Sequence, residues 1–456
     1  MKNVNFVVLA AGKGTRMKSS VPKVLHKLAG RSMLRHVIDA TNTVGESKKV
    51  IVTGHGAEQV EETFESADTK FVRQEDQLGT AHAVSMAIPE LCADAIVVVL
   101  YGDVPLIRPV TLQRMLASVN EKSMGLLTIS LDDPDGYGRI IRSADGLIES
   151  IVEQKDATNE QRHICEINTG VMALTSLQLR NWLPQISNNN AQGEYYLTDI
   201  IAIARQNGIE VNSINPESVT EVEGVNSRLQ LSQLERAHQL ELAKQLMESG
   251  TTLADPARFD QRGQLSVGTD NFIDINCIFE GNVTIGSNVS IGPNCCIINS
   301  TIGNDVEILA NTIIDSSEVG DSAVIGPFAR IRPGTELAEH TKVGNFVETK
   351  KSQVGKGSKI NHLSYVGDSE LGENVNIGAG TITCNYDGVE KHKTLLGDGV
   401  FVGSNSTLVA PITVGNGGFI AAGSTITTKV PKDSLGVGRG KQRNIKGWQR
   451  PIKRED

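Results

Sequence analysis

LGDGVFVGSNSTLVAPITVGNGGFIAAGSTI, residues 396–426, carries an aliphatic side chain every six positions: Leu396, Val402, Leu408, Val414, Ile420 and Ile426. The same interval runs upstream through Ile285, Ile291 and Ile297, and through Val319, Ile325, Ile331, Leu337 and Val343. A period of six fits neither the 3.6-residue turn of a helix nor the two-residue alternation of a half-buried strand. It fits a parallel β-helix, in which each hexad makes one short side of a coil and its aliphatic residue points inward. Glycine follows at Gly286, Gly292, Gly344 and Gly403, where it is expected to permit a tight backbone corner. The interval slips by one between Ile297 and Ile302 and breaks between Ile377 and Leu396, where a segment beginning CNYDGVEKHK intrudes. Polar insertions in a solenoid gather on a binding face, so this loop is a candidate for function.

The 456 residues are enough for two or three domains. A net charge of −9 argues against a nucleic-acid-binding protein. The C-terminal tail is locally basic, with Lys441, Arg443, Lys446, Arg450, Lys453 and Arg454. It is read either as a solvated tail or as help with an anionic ligand. Six cysteines form no Cys-x-x-Cys pair and no zinc spacing, which suggests free thiols in a reducing compartment. The longest apolar runs fall far short of the roughly 20 residues that span a bilayer, and no signal peptide is visible. The chain reads as cytoplasmic, without membrane insertion.

Toward the N-terminus, NVNFVVLAAGKGTRM reads as a buried strand entering a glycine-rich loop. There Gly12 and Gly14 let backbone approach a phosphate, and Lys13 and Arg16 add charge. The loop is neither a P-loop nor a dinucleotide fingerprint. Pro22 and Lys23 precede a helix-like pattern. Further strands are expected at residues 48–53, 71–72 and 95–100, the last running into Tyr101-Gly102-Asp103. Gln74, Gly79 and Thr80 sit in a turn able to read a base edge. Asp103, at the end of a central strand, is a Mg²⁺-ligand candidate or equally a turn or cap residue. Strands alternating with helical stretches such as 109–120 indicate a mainly parallel sheet covered on both faces. A hairpin follows 125–131, and 190–201 is read as opening a helix. Residues 226–250 form a connecting helix, and 251–270 lead into the coil.

The motifs LAAGKGTRM, VPKVLH, LGTAHAV, LYGDVPL, GYGRI, IVEQKDA, EINTG and NAQGEYYLTD resemble a sugar-nucleotide pyrophosphorylase domain. IGPFARIRPG, VGNFVETKK, NHLSYVGD, NIGAGTITCNYDG, FVGSNS and GWQRPIK extend the likeness over nearly the whole chain. The family resembled is that of bacterial bifunctional N-acetylglucosamine-1-phosphate uridylyltransferases and glucosamine-1-phosphate N-acetyltransferases. The resemblance implies an α/β nucleotidyltransferase domain (1–225), a linker helix (226–250) and a left-handed parallel β-helix acetyltransferase domain (251–456). It implies synthesis of UDP-N-acetylglucosamine from UTP, feeding peptidoglycan and lipopolysaccharide synthesis, and a homotrimer with coenzyme A bound between subunits.

The same resemblance assigns roles. Leu9, Ala10, Ala11, Gly12, Lys23, Gln74, Gly79, Thr80, Tyr101 and Gly102 would bind the nucleotide. Gly138, Glu153 and Asn168 would hold the sugar. Asp103 and Asn226 would hold Mg²⁺, and Arg16 and Lys23 would steady the triphosphate. In the coil, His362 would be the base. Arg332, Lys350, Tyr365, Asn376 and Asn385 would bind the sugar phosphate. Ala379, Asn385, Tyr386, Ser404, Ala422 and Arg439 would line the acetyl-CoA groove. Two other readings are a single-activity pyrophosphorylase with a scaffolding or regulatory β-helix, and a non-catalytic assembly subunit. Intact Arg16, Lys23, Asp103, Asn226, His362 and Lys350 argue against them.

Overall fold

The computed structural model describes residues 3–64, 69–451 and 453. Arg454 of the basic tail lies outside them. The chain divides into two compact units, Met1–Gln239 and Leu240–Asp456, and the division falls within the helix Arg228–Glu248.

The first unit is built on a sheet with strand order 210–214, 123–130, 166–175, 95–101, 3–9, 47–53, 69–73. Neighbours are parallel except along Glu166–Thr175, which runs against both. Side-chain alternation sends Val7, Leu9, Val50, Val52, Val97 and Val99 into one core and Phe6, Val8, Ile51, Val98 and Leu100 into the other. Helices 80–87, 176–182 and 200–206 cover the first core; 33–42, 57–64 and 109–117 cover the second. From Asn3–Leu9 the chain winds outward to one side and returns on the other with Ala95–Tyr101. The order therefore reverses between these two strands, and a crevice opens at their carboxyl ends. Two sequence readings need correction here. The pattern after Pro22 is a 3-10 turn, Lys23–Leu25, and a small hairpin; the helix starts only at Met33. Residues 190–196 are loop, because the Asn190 side chain turns the chain back onto Glu194, and helical structure begins at Leu197.

The second unit is a parallel β-helix. An 11-stranded and a 17-stranded sheet, parallel throughout, wind around one core. All the hexad residues quoted above are buried in that core. The coil begins earlier than the sequence suggested. Thr252–Leu253 and Phe259–Val267 already pair as coil strands, so 251–270 is its first turn rather than a lead-in.

The hexad glycines have a different cause from the one expected. Gly286, Gly292, Gly344 and Gly403 do not adopt left-handed backbone; those corners go to residues such as Asn276, Asn294, Asn311, Asn288 and Asp305, which tolerate that region. What the glycines lack is room. A Cβ at Gly344 would lie 2.0 Å from the Asn361 carbonyl oxygen of the next coil, and one at Gly403 would lie 2.5 Å from the Ala422 nitrogen. Gly344→Ala is therefore expected to force two coils apart, at a cost of about 2–3 kcal/mol. Differential scanning calorimetry should show the β-helix transition falling by roughly 4–10 °C. An unchanged transition would mean that the coil spacing yields freely.

Candidate functional sites

In the first unit, Leu9, Ala10, Ala11, Gly12, Lys23, Gln74, Gly79, Thr80, Tyr101 and Asp103 line one cavity of about 280 Å³ at the crevice. Gly102 lies beside it, its N–H bonded to the Leu9 carbonyl (2.9 Å). Gln74 is buried and donates to the Gly79 carbonyl (3.1 Å), so this turn is fixed from within. A Cβ at Gly79 would sit 2.5 Å from the Tyr195 carbonyl oxygen, and Ala81 N–H donates to that same oxygen (2.9 Å). The turn is thus clamped to the GEYYLTD segment.

Lys23 Nζ bonds Asp103 Oδ2 and lies 3.2 Å from Asn226 Oδ1. Gly14, with φ of 58°, brings the loop onto the Lys23 stem: a Cβ there would meet Lys23 Cβ at 2.8 Å. Arg16 stands exposed on the 3-10 turn Thr15–Met17 and is not among the residues that line the cavity.

The sugar candidates form a neighbouring group. Asn168 N–H donates to the Gly138 carbonyl (2.8 Å), and a Cβ at Gly138 would lie 3.4 Å from both Glu153 oxygens. Asn168 opens a bulge in Glu166–Thr175, a feature that re-aims side chains beside sites. Gly170, inside the bulge, takes φ of 87° and lets the Tyr101 ring approach. Burial raises the Glu153 carboxyl above its ordinary range, partly offset by the Thr198 hydroxyl donating to it (3.1 Å) and reinforced by Asp156 and Asp199. Burial, with Glu153 and Asp103, pushes the Tyr101 phenol up, so it stays a donor. Gln77, whose amide donates to the Ala11 carbonyl (2.6 Å), and Glu194 also line the cavity and escaped the sequence reading. No signal beyond their nearness to LGTAHAV and EYYLTD would have marked them.

In the second unit the candidates gather at two places. Asn345, His362, Ala379, Ser404, Ala422 and Arg439 climb one corner of successive coils. Backbone bonds link Leu363 to Asn345 O (3.1 Å), Gly380 to His362 O (3.3 Å), Asn405 to Ala379 O (2.7 Å) and Gly423 to Ser404 O (2.8 Å). Arg439 Nη1 closes the column on Ala422 O (2.7 Å). His362 is exposed, with Nδ1 2.6 Å from Asn345 Oδ1. The second cluster holds Arg332, Lys350, Tyr365 and Asn385. Arg332 pairs with Glu348 (2.6 Å), which lies beside Tyr365 in the next coil. Asp368 accepts from the Asn385 amide and lies 3.5 Å from Lys350 Nζ. Among the described residues, no side-chain hydrogen bond or ion pair joins the two clusters within one chain. Asn376 belongs to neither cluster; it faces outward between Lys359 and Phe401.

The loop that breaks the repeat is a built hairpin. Ser369 pairs with Thr394 across it, whereas Val354 pairs directly with Leu371 one coil earlier. Asp387 Oδ1 takes the N–H groups of Glu390 (2.7 Å) and Val389 (2.8 Å), and Oδ2 meets His392 (2.7 Å). These bonds hold the Asp387 carboxyl far below the usual range. The hairpin bridge Tyr386–Lys391 sets the Lys391 ammonium against Lys350, which lowers the Lys391 pKa. Sequence reading passed over Lys391, although a lysine in a loop already suspected of function was the available signal. Asp368, 3.5 Å from Lys350 Nζ, balances one of these charges, and the remaining positive charge suits an anionic ligand.

The fold and these two sites define a nucleotidyltransferase-type α/β unit joined to a hexapeptide-repeat β-helix. A MobA-like NTP transferase domain matches residues 6–162, and a GMPPB C-terminal domain matches 262–354. The chain is 58% identical to Bifunctional protein GlmU of Marinobacter nauticus over 99% of its own length and 100% of that protein. It is 55% identical to Bifunctional protein GlmU of Cellvibrio japonicus, again over 99% and 100%. A solved UDP-glucose pyrophosphorylase bound to UDP-glucose aligns with 52% of this chain and 98% of its own at 17% identity, with a TM-score of 0.45. The chain belongs to the family of bifunctional GlmU proteins.

Proposed function

We propose a division of labour between the two units. The chain is a bifunctional transferase of UDP-N-acetylglucosamine synthesis, with N-acetylglucosamine-1-phosphate uridylyltransferase and glucosamine-1-phosphate N-acetyltransferase activities that serve cell-wall synthesis. In our reading, residues 1–225 carry the first activity, 251–456 the second, and 226–250 join them.

In the α/β unit the sugar phosphate is itself the nucleophile. Its oxygen attacks the α-phosphorus of UTP, and pyrophosphate leaves. The protein's task is positioning and charge balance. Gln74, Gly79 and Thr80 receive uracil; Gly138, Glu153 and Asn168 receive the sugar; Arg16 and Lys23 meet the phosphates. Asp103 and Asn226 fit Mg²⁺: both are hard oxygen donors, and the Lys23 ammonium already sits against both, so a cation is favoured at that place. Among the described residues no three His, Cys, Asp or Glu side chains converge, which suits a metal shared with substrate phosphates rather than caged by protein. When bound, Mg²⁺ neutralises charge on those phosphates.

In the β-helix, His362 Nε2 takes a proton from the glucosamine ammonium, and the amine so freed attacks the thioester carbonyl. The C–S bond breaks, the imidazolium returns its proton to the departing coenzyme A thiolate, and the second nitrogen proton passes to water as the amide forms. Asn345 Oδ1, as assigned from the hydrogen-bond pattern, accepts from Nδ1–H and leaves the Nε2 lone pair free. The corner column Ala379–Ser404–Ala422–Arg439 receives coenzyme A. Arg332, Lys350 and Lys391 receive the phosphate, with Tyr365 and Asn385 on the sugar; Asn376, outside that cluster, would reach the sugar only from a second copy. A second copy packed against the His362 corner would complete the site and make a homotrimer. Phe328, Phe346 and Leu363, exposed at left-handed corners beside His362, suit such a contact; two of them stack at 5.3 Å. Six free cysteines fit a reducing cytoplasm, and among the described residues no helix is long and apolar enough to cross a membrane.

The test is to follow free thiol from acetyl-CoA with and without glucosamine-1-phosphate. Release that requires the sugar phosphate is expected; none, from protein active on UTP, would reduce the β-helix to a scaffold. Lys391→Ala should raise KM for glucosamine-1-phosphate about tenfold or more, with kcat less affected; an unchanged KM would remove Lys391 from the site. Glu153 yields a pH prediction. Its raised pKa means that it protonates earlier than an ordinary carboxylate as pH falls, losing its acceptor for the sugar. KM for N-acetylglucosamine-1-phosphate should therefore climb on the acid side. Glu153→Gln should start high and keep only the titration of the sugar phosphate, near pH 6 for such groups. Parallel profiles would exclude the role.

A further inference from the structure

The Lys23 ammonium occupies the place where the two oxygens assigned to the metal converge. It bonds Asp103 Oδ2 and lies 3.2 Å from Asn226 Oδ1, and the side chains of Lys23 and Asp103 are only 13% and 16% exposed. A carboxylate so sheltered needs a counter-charge, and Lys23 is the cation that supplies it. An ammonium within bonding distance of both oxygens excludes a second cation from the same position, by repulsion as well as by volume.

We propose that Lys23 is a placeholder for the divalent cation: metal and Lys23 exchange places. Resting on the reading of Asp103 and Asn226 as metal ligands, this makes the ligand-free protein a poor binder of bare divalent ions. The cation arrives with the nucleotide, whose phosphates give Lys23 somewhere to go. The geometry around Lys23 suits a side chain that pivots. Its stem is held at Cβ by the close approach of Gly14, in left-handed backbone, while the head reaches into the cavity that Gly12, Thr80 and Asp103 also line. Lys23 then has two partners in sequence, first the ligand oxygens and later the phosphates, and the site is never left with an uncompensated charge.

The experiment is a titration of the full chain with Mn²⁺ alone, with unbound Mn²⁺ read by electron paramagnetic resonance. Lys23→Met keeps the stem and removes the charge. It should bind one Mn²⁺ per chain at least about tenfold more tightly than wild type, the scale expected for removing a like charge at contact distance. Lys23→Arg keeps a cation and should bind as weakly as wild type. Adding Asp103→Ala to Lys23→Met should abolish the gain. Thermal unfolding checks the fold of each variant, and Lys23→Gln serves should the methionine variant unfold. Lys23→Met binding Mn²⁺ no better than wild type would overturn the exchange, provided Mn²⁺ together with UTP still requires Asp103. If Mn²⁺ with UTP is held equally well after Asp103→Ala, the ligand assignment itself fails and takes the exchange with it.

Discussion

His362→Ala is expected to slow acetyl transfer about 10²–10⁴-fold while uridylyl transfer proceeds at the wild-type rate. The size follows from the chemistry. The substrate amine is protonated near neutral pH, an ammonium has no lone pair to attack a thioester, and a positioned base is the cheapest remedy. An imidazole is suited to it, because histidine is the side chain that exchanges protons near neutral pH, and Asn345 holds the ring 2.6 Å away at Nδ1. The selectivity follows from the fold. His362 is exposed at a corner where Ala379 and Ala422 stand in later coils, so alanine there is already an accepted corner residue. Thiol release and pyrophosphate release from one preparation measure both sides. Loss of both activities with an unchanged unfolding transition would refute the division of labour, and undiminished acetyl transfer would remove His362 as the base.

The repeat was legible because inward hexad positions tolerate only aliphatic residues, and each of those quoted is buried. The α/β sheet was legible for a related reason: its central strands are buried on both faces and read as continuous apolar runs. The reason for the hexad glycines was not legible. Backbone from the next coil excludes their Cβ, and sequence spacing does not report on a neighbouring coil. The hairpin after Pro22 was hidden because its residues carry a helical apolar pattern, and the turn Ala29-Gly30, in left-handed backbone, overrides it. Nor could spacing show Lys391 meeting Lys350, since their proximity depends on the Asp387 turn folding the loop back. The tie between Lys23, Asp103 and Asn226 joins three distant stretches of chain: the strand-order reversal sets the first two side by side, and the Val225 N–H bond to the Asp103 carbonyl brings in the third.

Asp103→Asn is the sharpest test of the first unit. It is expected to cut uridylyl transfer on the order of 10³-fold and to leave acetyl transfer unchanged. Asparagine matches aspartate in size and also serves as a turn or cap residue. Were Asp103 only structural, the change would be nearly silent. Its backbone role survives in any case: the Asp103 carbonyl accepts from Val225 N–H (2.9 Å), and the adjacent Gly102 N–H donates to Leu9 O (2.9 Å). What the substitution removes is one negative charge at the crevice, and with it both the partner of Lys23 and the anionic donor for a divalent cation. Catalysis here depends on balancing the charge of a triphosphate, so that loss falls on the transition state rather than on the fold. Pyrophosphate release, with calorimetry to show an unchanged transition, separates the two readings: near-wild-type turnover would make Asp103 a turn residue.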